Sequence, residues 1–176
     1  AVTPSVSSEI FEAGVTELSL ADIAKIYRGD VDNWSAFGGP DKPIFVIDKE
    51  ISRGTRQIFM NVVMGDPKAD ALGADLVTGS NNEELTALVQ SDAAIGMLSL
   101  AWLNDDVRGL SVMMDDGAII TPTSANIRNG SYPFVRNLNV VTREDIDPKA
   151  KAFVDYILSP DGQVFVETSG YIKISE

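Results

Sequence analysis

Pro43-Ile44-Phe45-Val46-Ile47 runs directly into Asp48-Lys49-Glu50-Ile51-Ser52-Arg53-Gly54-Thr55-Arg56-Gln57-Ile58-Phe59, and this junction decides how the chain is read. The first five residues are apolar and three of them β-branched, in the manner of a strand, the next are mostly polar, and from Gly54 the spacing is helical. A helix that starts near Gly54-Thr55 has first-turn N–H groups without intrahelical partners, backed by the positive end of the macrodipole. Such an end attracts anions. Ser52 and Thr55 add hydroxyls, Gly54 permits close approach to the backbone, and Lys49, Arg53 and Arg56 bring positive charge. Two readings follow: a small oxyanion site built from Lys49, Ser52, Arg53, Gly54, Thr55 and Arg56, or an ordinary capped helix carrying solvated basic residues.

The rest of the composition narrows the function classes. With 176 residues, 44% of them hydrophobic, the chain is long enough for a sizeable core in one domain or two small lobes. A formal charge of −12 without a clustered basic stripe argues against nucleic acid as a partner. There is no cysteine and no histidine, so disulfides, thiolate nucleophiles, zinc-finger ligands and the usual neutral-pH general base are excluded. Neither a cofactor nor a metal is called for, and the expectation is a binding protein rather than an enzyme. A Ser/Lys hydrolase built on Asp48, Lys49 and Ser52 is the weakest alternative. No apolar run approaches the ~20 residues of a membrane helix. No signal peptide is visible, and a processed chain would look the same.

Along the chain, Ala1–Pro4 reads as extended and Ser7–Gly14 as a brief helix or turn. A helix is expected after the cap Ser19 and closed by Gly29, with Leu20, Ile23, Ala24 and Tyr27 on one face. Trp34 reads as a packing anchor over it. The helix from Gly54 runs to about Met64, stopped by Gly65 and Pro67. A weak strand at Leu76–Thr78 leads to a helix with capping-box spacing between Asn81 and Glu84. Ala93–Leu98 and Leu110–Met114 read as strands, and Val135–Val141 as the longest extended candidate. Helices are expected from Pro148 to Ile157, with Ala152, Phe153, Tyr156 and Ile157 on one face, and from Asp161 to Thr168, followed by extended Tyr171–Ile174. Strands alternating with helices make an α/β layered fold.

Five blocks in order carry a resemblance. Leu20–Gly29 followed by Asn33-Trp34, then Gly54-Thr55-Arg56 with Phe59, Ala94–Ser99, Gly130–Arg136 and Ser159–Gln163 resemble the phosphate-binding proteins of ABC transporters, which have the type II periplasmic binding protein fold. The resemblance implies α/β architecture with one complete lobe plus the C-terminal part of the other. It further implies a crossover or hinge segment over residues 1–16, the anion-loop lobe over 17–110, and a return crossover with C-terminal helices over 111–176. The N-terminal part of the first lobe, which in the family carries a second Ser/Thr-containing loop and an acidic proton acceptor, is not matched. The implied role is extracytoplasmic capture of phosphate or a similar oxyanion in an interlobe cleft, for delivery to a membrane permease. The alternative is a scaffold module completed by a partner chain or by self-association. Relative to the family loop, Arg53 stands in place of serine and Lys49 in place of an anion-gripping arginine. Lys49 lacks arginine's planar fork, and Ser52 can supply the hydroxyl if the turn shifts by one residue.

Overall fold

The computed structural model describes residues 1–174. It divides into two compact units, Ala1–Val135 and Arg136 onward.

In the first unit a five-stranded mixed sheet has the order β4-β3-β5-β1-β6, where β1 is Val2–Ser7, β3 Phe45–Lys49, β4 Leu76–Thr78, β5 Ala94–Ser99 and β6 Val107–Gly109. The strands β4, β3 and β5 run parallel, and β1 lies antiparallel between β5 and β6. A smaller sheet joins β2 (Glu17–Ser19), β7 (Ser111–Met113) and β8 (Ile119–Ile120). Five helices accompany them: α1 (Ser8–Glu12), α2 (Leu20–Arg28), α3 (Gly54–Met64), α4 (Asn81–Gln90) and α5 (Ser124–Arg128).

Local chemistry explains the helix ends. Ser19 Oγ accepts from the Asp22 N–H at 3.0 Å, and Gly29, in the left-handed region at φ +80, closes α2. The loop after α3 returns tightly onto this end. Gly73 N–H donates to Tyr27 O at 3.0 Å, and a Cβ at Gly73 would lie 2.4 Å from Ile26 O. Trp34 is the packing anchor the sequence suggests, fully buried with its indole N–H on Ala93 O at 2.8 Å.

Residues 1–16, read as a hinge, contribute β1, an interior strand of the main sheet with every residue buried. The first compact unit continues past Leu110 as far as Val135. Tyr132 and Phe134 are buried, Phe134 stacks on Phe59 with ring centroids 5.2 Å apart, and Val2 N–H donates to Phe134 O at 2.9 Å. Aromatic burial of this kind ties the segment up to Val135 into the first unit.

The second unit holds α6 (Pro148–Leu158) and α7 (Pro160–Thr168). Ser159 ends one helix and caps the next, its Oγ accepting from Gly162 N–H at 3.2 Å. A Cβ on Gly162 would sit 2.1 Å from Tyr156 O, so only glycine lets α7 start this close to the end of α6. The expected strand over Val135–Val141 is not formed, because no strand among the described residues pairs with it, and Leu138, Val140 and Val141 are exposed. Extended Tyr171–Ile174 likewise joins no sheet. The anticipated apolar face of α6 exists but is uncovered: Phe153 is 64% and Tyr156 48% exposed.

This division has a measurable consequence. In urea titrations of the whole chain, Phe134→Ala is expected to destabilise the first unit by about 3–5 kcal/mol, whereas Phe153→Ser, at an exposed site, is expected to stay within about 0.5 kcal/mol.

Candidate functional site

The parallel strands β3, β4 and β5 end on one edge of the sheet at Lys49, Thr78 and Ser99, and in open α/β sheets ligands gather outside such carboxyl ends. Two helices begin there. The turn at residues 50–53 leads from β3 into α3, and Gly79-Ser80 leads from β4 into α4. The turns are neighbours: Glu50 N–H donates to Thr78 O at 3.0 Å, and a Cβ on Gly79 would lie 3.4 Å from Glu50 Oε1 and 3.6 Å from Arg53 Nη2.

The two helix N-termini differ. That of α4 is satisfied from within, since Ser80 Oγ accepts from Glu83 N–H at 3.2 Å and the Glu83 carboxylate accepts from Gly79 N–H at 2.6 Å. The capping pair is therefore Ser80 with Glu83, one residue earlier than the Asn81–Glu84 spacing suggests. That of α3 has no side-chain cap and no acidic residue in its first turn. Its first closing bond is Gln57 N–H to Arg53 O at 3.0 Å, so the amides of Gly54, Thr55 and Arg56 stand ahead of the ladder.

The basic residues of the loop are each engaged by an acid of the same unit. Arg56 is 4% exposed, and its Nε lies 3.0 Å from both carboxylate oxygens of Asp48 while Nη2 donates to Ala69 O at 2.8 Å. Lys49, 2% exposed, forms an ion pair with Glu84, which is fully buried. Arg53 is exposed and rests against Glu50 at 3.3 Å. Ser52 is exposed; Gly54 and Thr55 are half-buried. Of the six residues expected at the site, the structure thus brings Ser52, Arg53, Gly54 and Thr55 to the accessible start of α3 and turns Lys49 and Arg56 into the interior.

Glu84 and Asp48 are the residues that the sequence did not assign to the anion site. Glu84 Oε1 accepts from Met97 N–H at 2.6 Å, within β5. This contact needs Gly96, because a Cβ there would lie 2.6 Å from the same oxygen. A signal for Glu84 was present: it shares a helix face with Leu88 at i,i+4, and a glycine inside a strand marks close approach. Burial raises Glu84 from 4.5 to about 7, with Lys49 and the Met97 N–H opposing the rise and Asp48 adding to it. Asp48 is also raised, first by burial, against the pull of the Lys49 N–H and Arg56. Beneath them Tyr27, buried with its hydroxyl on Ile47 O at 3.1 Å, is pushed well up by burial and by the two carboxylates. Among the described residues no group of three or more acidic side chains is arranged to hold a metal ion, and no helix is long and apolar enough to cross a membrane.

A sheet with helix N-termini gathered at its carboxyl edge is the architecture of a ligand-binding α/β domain, and the comparisons make the class specific. A family model described as a PBP superfamily domain matches residues 2–161, and the chain belongs to that family. The fold is α/β and type II periplasmic binding protein-like, with one lobe and part of the other. The chain is 32% identical over 168 residues to the phosphate-binding protein PstS of Bacillus subtilis (strain 168), covering 94% of this chain and 53% of that protein. It matches the crystal structure of a protein assigned as a phosphate ABC transporter substrate-binding protein, with bound phosphate, from Clostridium perfringens: TM-score 0.80, 28% identity, 99% of this chain and 68% of that one. The corresponding figures for PstS from Borrelia burgdorferi are 0.70, 27%, 100% and 70%. The chain spans about half the length of the curated relatives it matches.

Removing one partner of a buried ion pair strands the other, so Glu84→Ala is expected to cost about 3–5 kcal/mol in chemical denaturation. The pH dependence has a definite sign. Between about pH 4.5 and 7 the folded chain retains a proton on Glu84 that the unfolded chain releases, so this group's contribution to stability falls as pH rises through that window. The slope is at most about 1.4 kcal/mol per pH unit. Comparing denaturation of the parent chain and Glu84→Gln at pH 5.5, 6.5 and 8 isolates it: the variant is expected to lack that share of the decline.

Proposed function

We propose that this chain is the anion-loop part of an extracytoplasmic substrate-binding component of an ABC transporter, and that it binds phosphate or a similar oxyanion at the N-terminus of α3. The observation that carries the reading is the uncapped first turn of α3 at the carboxyl edge of β3, in a chain whose relatives include proteins named for phosphate binding and one solved with bound phosphate. Gly54, Thr55 and Arg56 supply backbone N–H donors, and the Ser52 and Thr55 hydroxyls stand beside them. Because Lys49, Arg53 and Arg56 are each offset by an acid, affinity comes from directed hydrogen bonds and the helix dipole rather than from net charge. The role is binding alone, in which a captured anion is passed to a membrane permease without covalent change.

Calorimetric titration of the folded chain with phosphate, sulfate, molybdate and tungstate tests this. Saturable binding of at least one oxyanion is expected, with Thr55→Ala weakening it several-fold and Lys25→Ala, at an exposed position paired with Asp22 within α2, leaving it unchanged. Absence of heat with all four would remove the reading.

A second reading is favoured by the second unit. Phe153, Tyr156, Leu158, Val164 and Phe165 are exposed, and a hollow of about 440 Å³ lined by Val140, Val141, Phe153 and Val154 opens beside them. Apolar surface of this kind marks an interface. In this reading the chain is completed by a partner or a second copy. Sedimentation at micromolar concentration is expected to show association that Phe153→Ser with Phe165→Ser abolishes; a monomer at all concentrations would exclude completion by self-association.

A further inference from the structure

Lys49 ends β3 at the carboxyl edge of the sheet, yet its ammonium is turned inward onto Glu84. We propose that Glu84 is an internal anion holding Lys49 in reserve, and that uptake of one proton by Glu84 hands Lys49 to an inorganic oxyanion at the start of α3. The inference deepens the oxyanion-binding reading and rests on it for the identity of the ligand.

Geometry makes Glu84 and an incoming oxyanion competitors for one cation. The paired registers of β3 and β5 stop at Val46 and Ile95, so the two strands no longer pair where the carboxylate enters. Glu84 reaches this gap past Gly96, with Oε1 on the Met97 N–H and Oε2 on Lys49. The other charged or titratable groups around it have contacts of their own, although Arg56 Nη1 and Arg108 Nε are buried without a hydrogen-bond partner. Asp48 of β3 holds Arg56 of α3, the Tyr27 hydroxyl of α2 bonds Ile47 O, and Glu83 of α4 takes the Gly79 N–H. Arg108 of β6 lies over the Phe11 ring at 5.8 Å, and β1, β4 and β5 carry no titratable side chain. Besides Glu84, the Lys49 ammonium meets Ser80 O at 3.5 Å, in the turn that adjoins the start of α3.

Neutralising Glu84 would leave Lys49 as a buried cation with one distant carbonyl, which is a costly state. Rotation toward Ser80 and the α3 amides, with an oxyanion arriving to meet it, relieves that cost. The strong lift that burial gives the Glu84 carboxyl brings this exchange near neutral pH. The shift also fixes the direction: acidification strengthens binding.

The test uses the full 176-residue chain and inorganic sulfate, whose charge is constant between pH 5 and 9, so that titration of the anion itself does not intervene. Calorimetry at pH 5.5, 6.5, 7.5 and 8.5 is expected to give sulfate affinity that rises by up to about tenfold per unit of acidification, the limit for one coupled proton. Glu84→Gln, which keeps the acceptor for Met97 N–H but carries no charge, is expected to bind sulfate with little pH dependence and more tightly than the parent at pH 8.5. Equal slopes in both proteins, or no gain at pH 8.5, would overturn the proposal. A ligand-free readout separates it from the oxyanion reading: by NMR, the Lys49 ammonium protons should be protected from water exchange at pH 8 and lose that protection as the Glu84 carboxyl takes up its proton. Protection that persists through the Glu84 titration rejects the reserve role whatever the ligand. Loss of protection with no oxyanion bound by either protein leaves the proton-driven release of Lys49 standing and rejects the oxyanion reading alone.

Discussion

The carboxylate of Glu84, buried between β3 and β5, is the constraint on which the carboxyl edge of this sheet depends. It joins three elements at one point: the start of α4 from which it projects, the Met97 amide of β5, and the ammonium that ends β3. A charge in this position is stable only because both oxygens are used, and because Gly96 leaves room for the side chain to pass. The parallel pair Asp48–Arg56 does the same for α3, fastening the helix to β3 one residue before Lys49. Two acids and two bases thus set how the helices leave the sheet, and with both acids ionised the cluster carries no net charge.

That arrangement bears on the anion site proposed for this edge. A basic loop in an acidic chain suggests attraction by charge, but the structure spends the charge on internal pairs. What remains at the surface is the first turn of α3 with its amides, the hydroxyls of Ser52 and Thr55, and Arg53 resting on Glu50. Such donors recognise shape and hydrogen-bonding capacity more than total charge. The α4 terminus, by contrast, is closed by its own Ser80 and Glu83, which confines the open donors to a single turn.

The two units differ in how well they cover themselves. In the first, the rings of Tyr27, Phe59, Phe134 and Tyr132 pack in succession, and Ile23 and Ile26 of α2, Met60 of α3 and Leu88 of α4 are buried. In the second, α6 and α7 cap and brace one another through Ser159, Gly162 and Gln163, whose amide donates to Ile157 O at 2.8 Å, while their aromatic side chains stay exposed. Helix formation there is local; burial is not.

Much of the fold was legible because local signals were strong. Ser19 and Gly29 bracket α2, Gly65 stops α3, Ser159-Pro160 separates α6 from α7, and Trp34 is the anchor its size suggests. The turn from Ile47 to Gly54 was readable as strand into helix, and the order of blocks pointed to the family. Val135–Val141 misled because β-propensity describes a surface that fits a sheet, not whether a partner strand is present. The placement of β1 inside the sheet, the join of residues 111–135 to the first unit, and above all the pairing of Lys49 with the distant Glu84 required the tertiary structure. Periodicity and capping are properties of neighbouring residues and so are written in the chain, whereas the partner of a buried charge is chosen by which distant side chain the packing brings within reach.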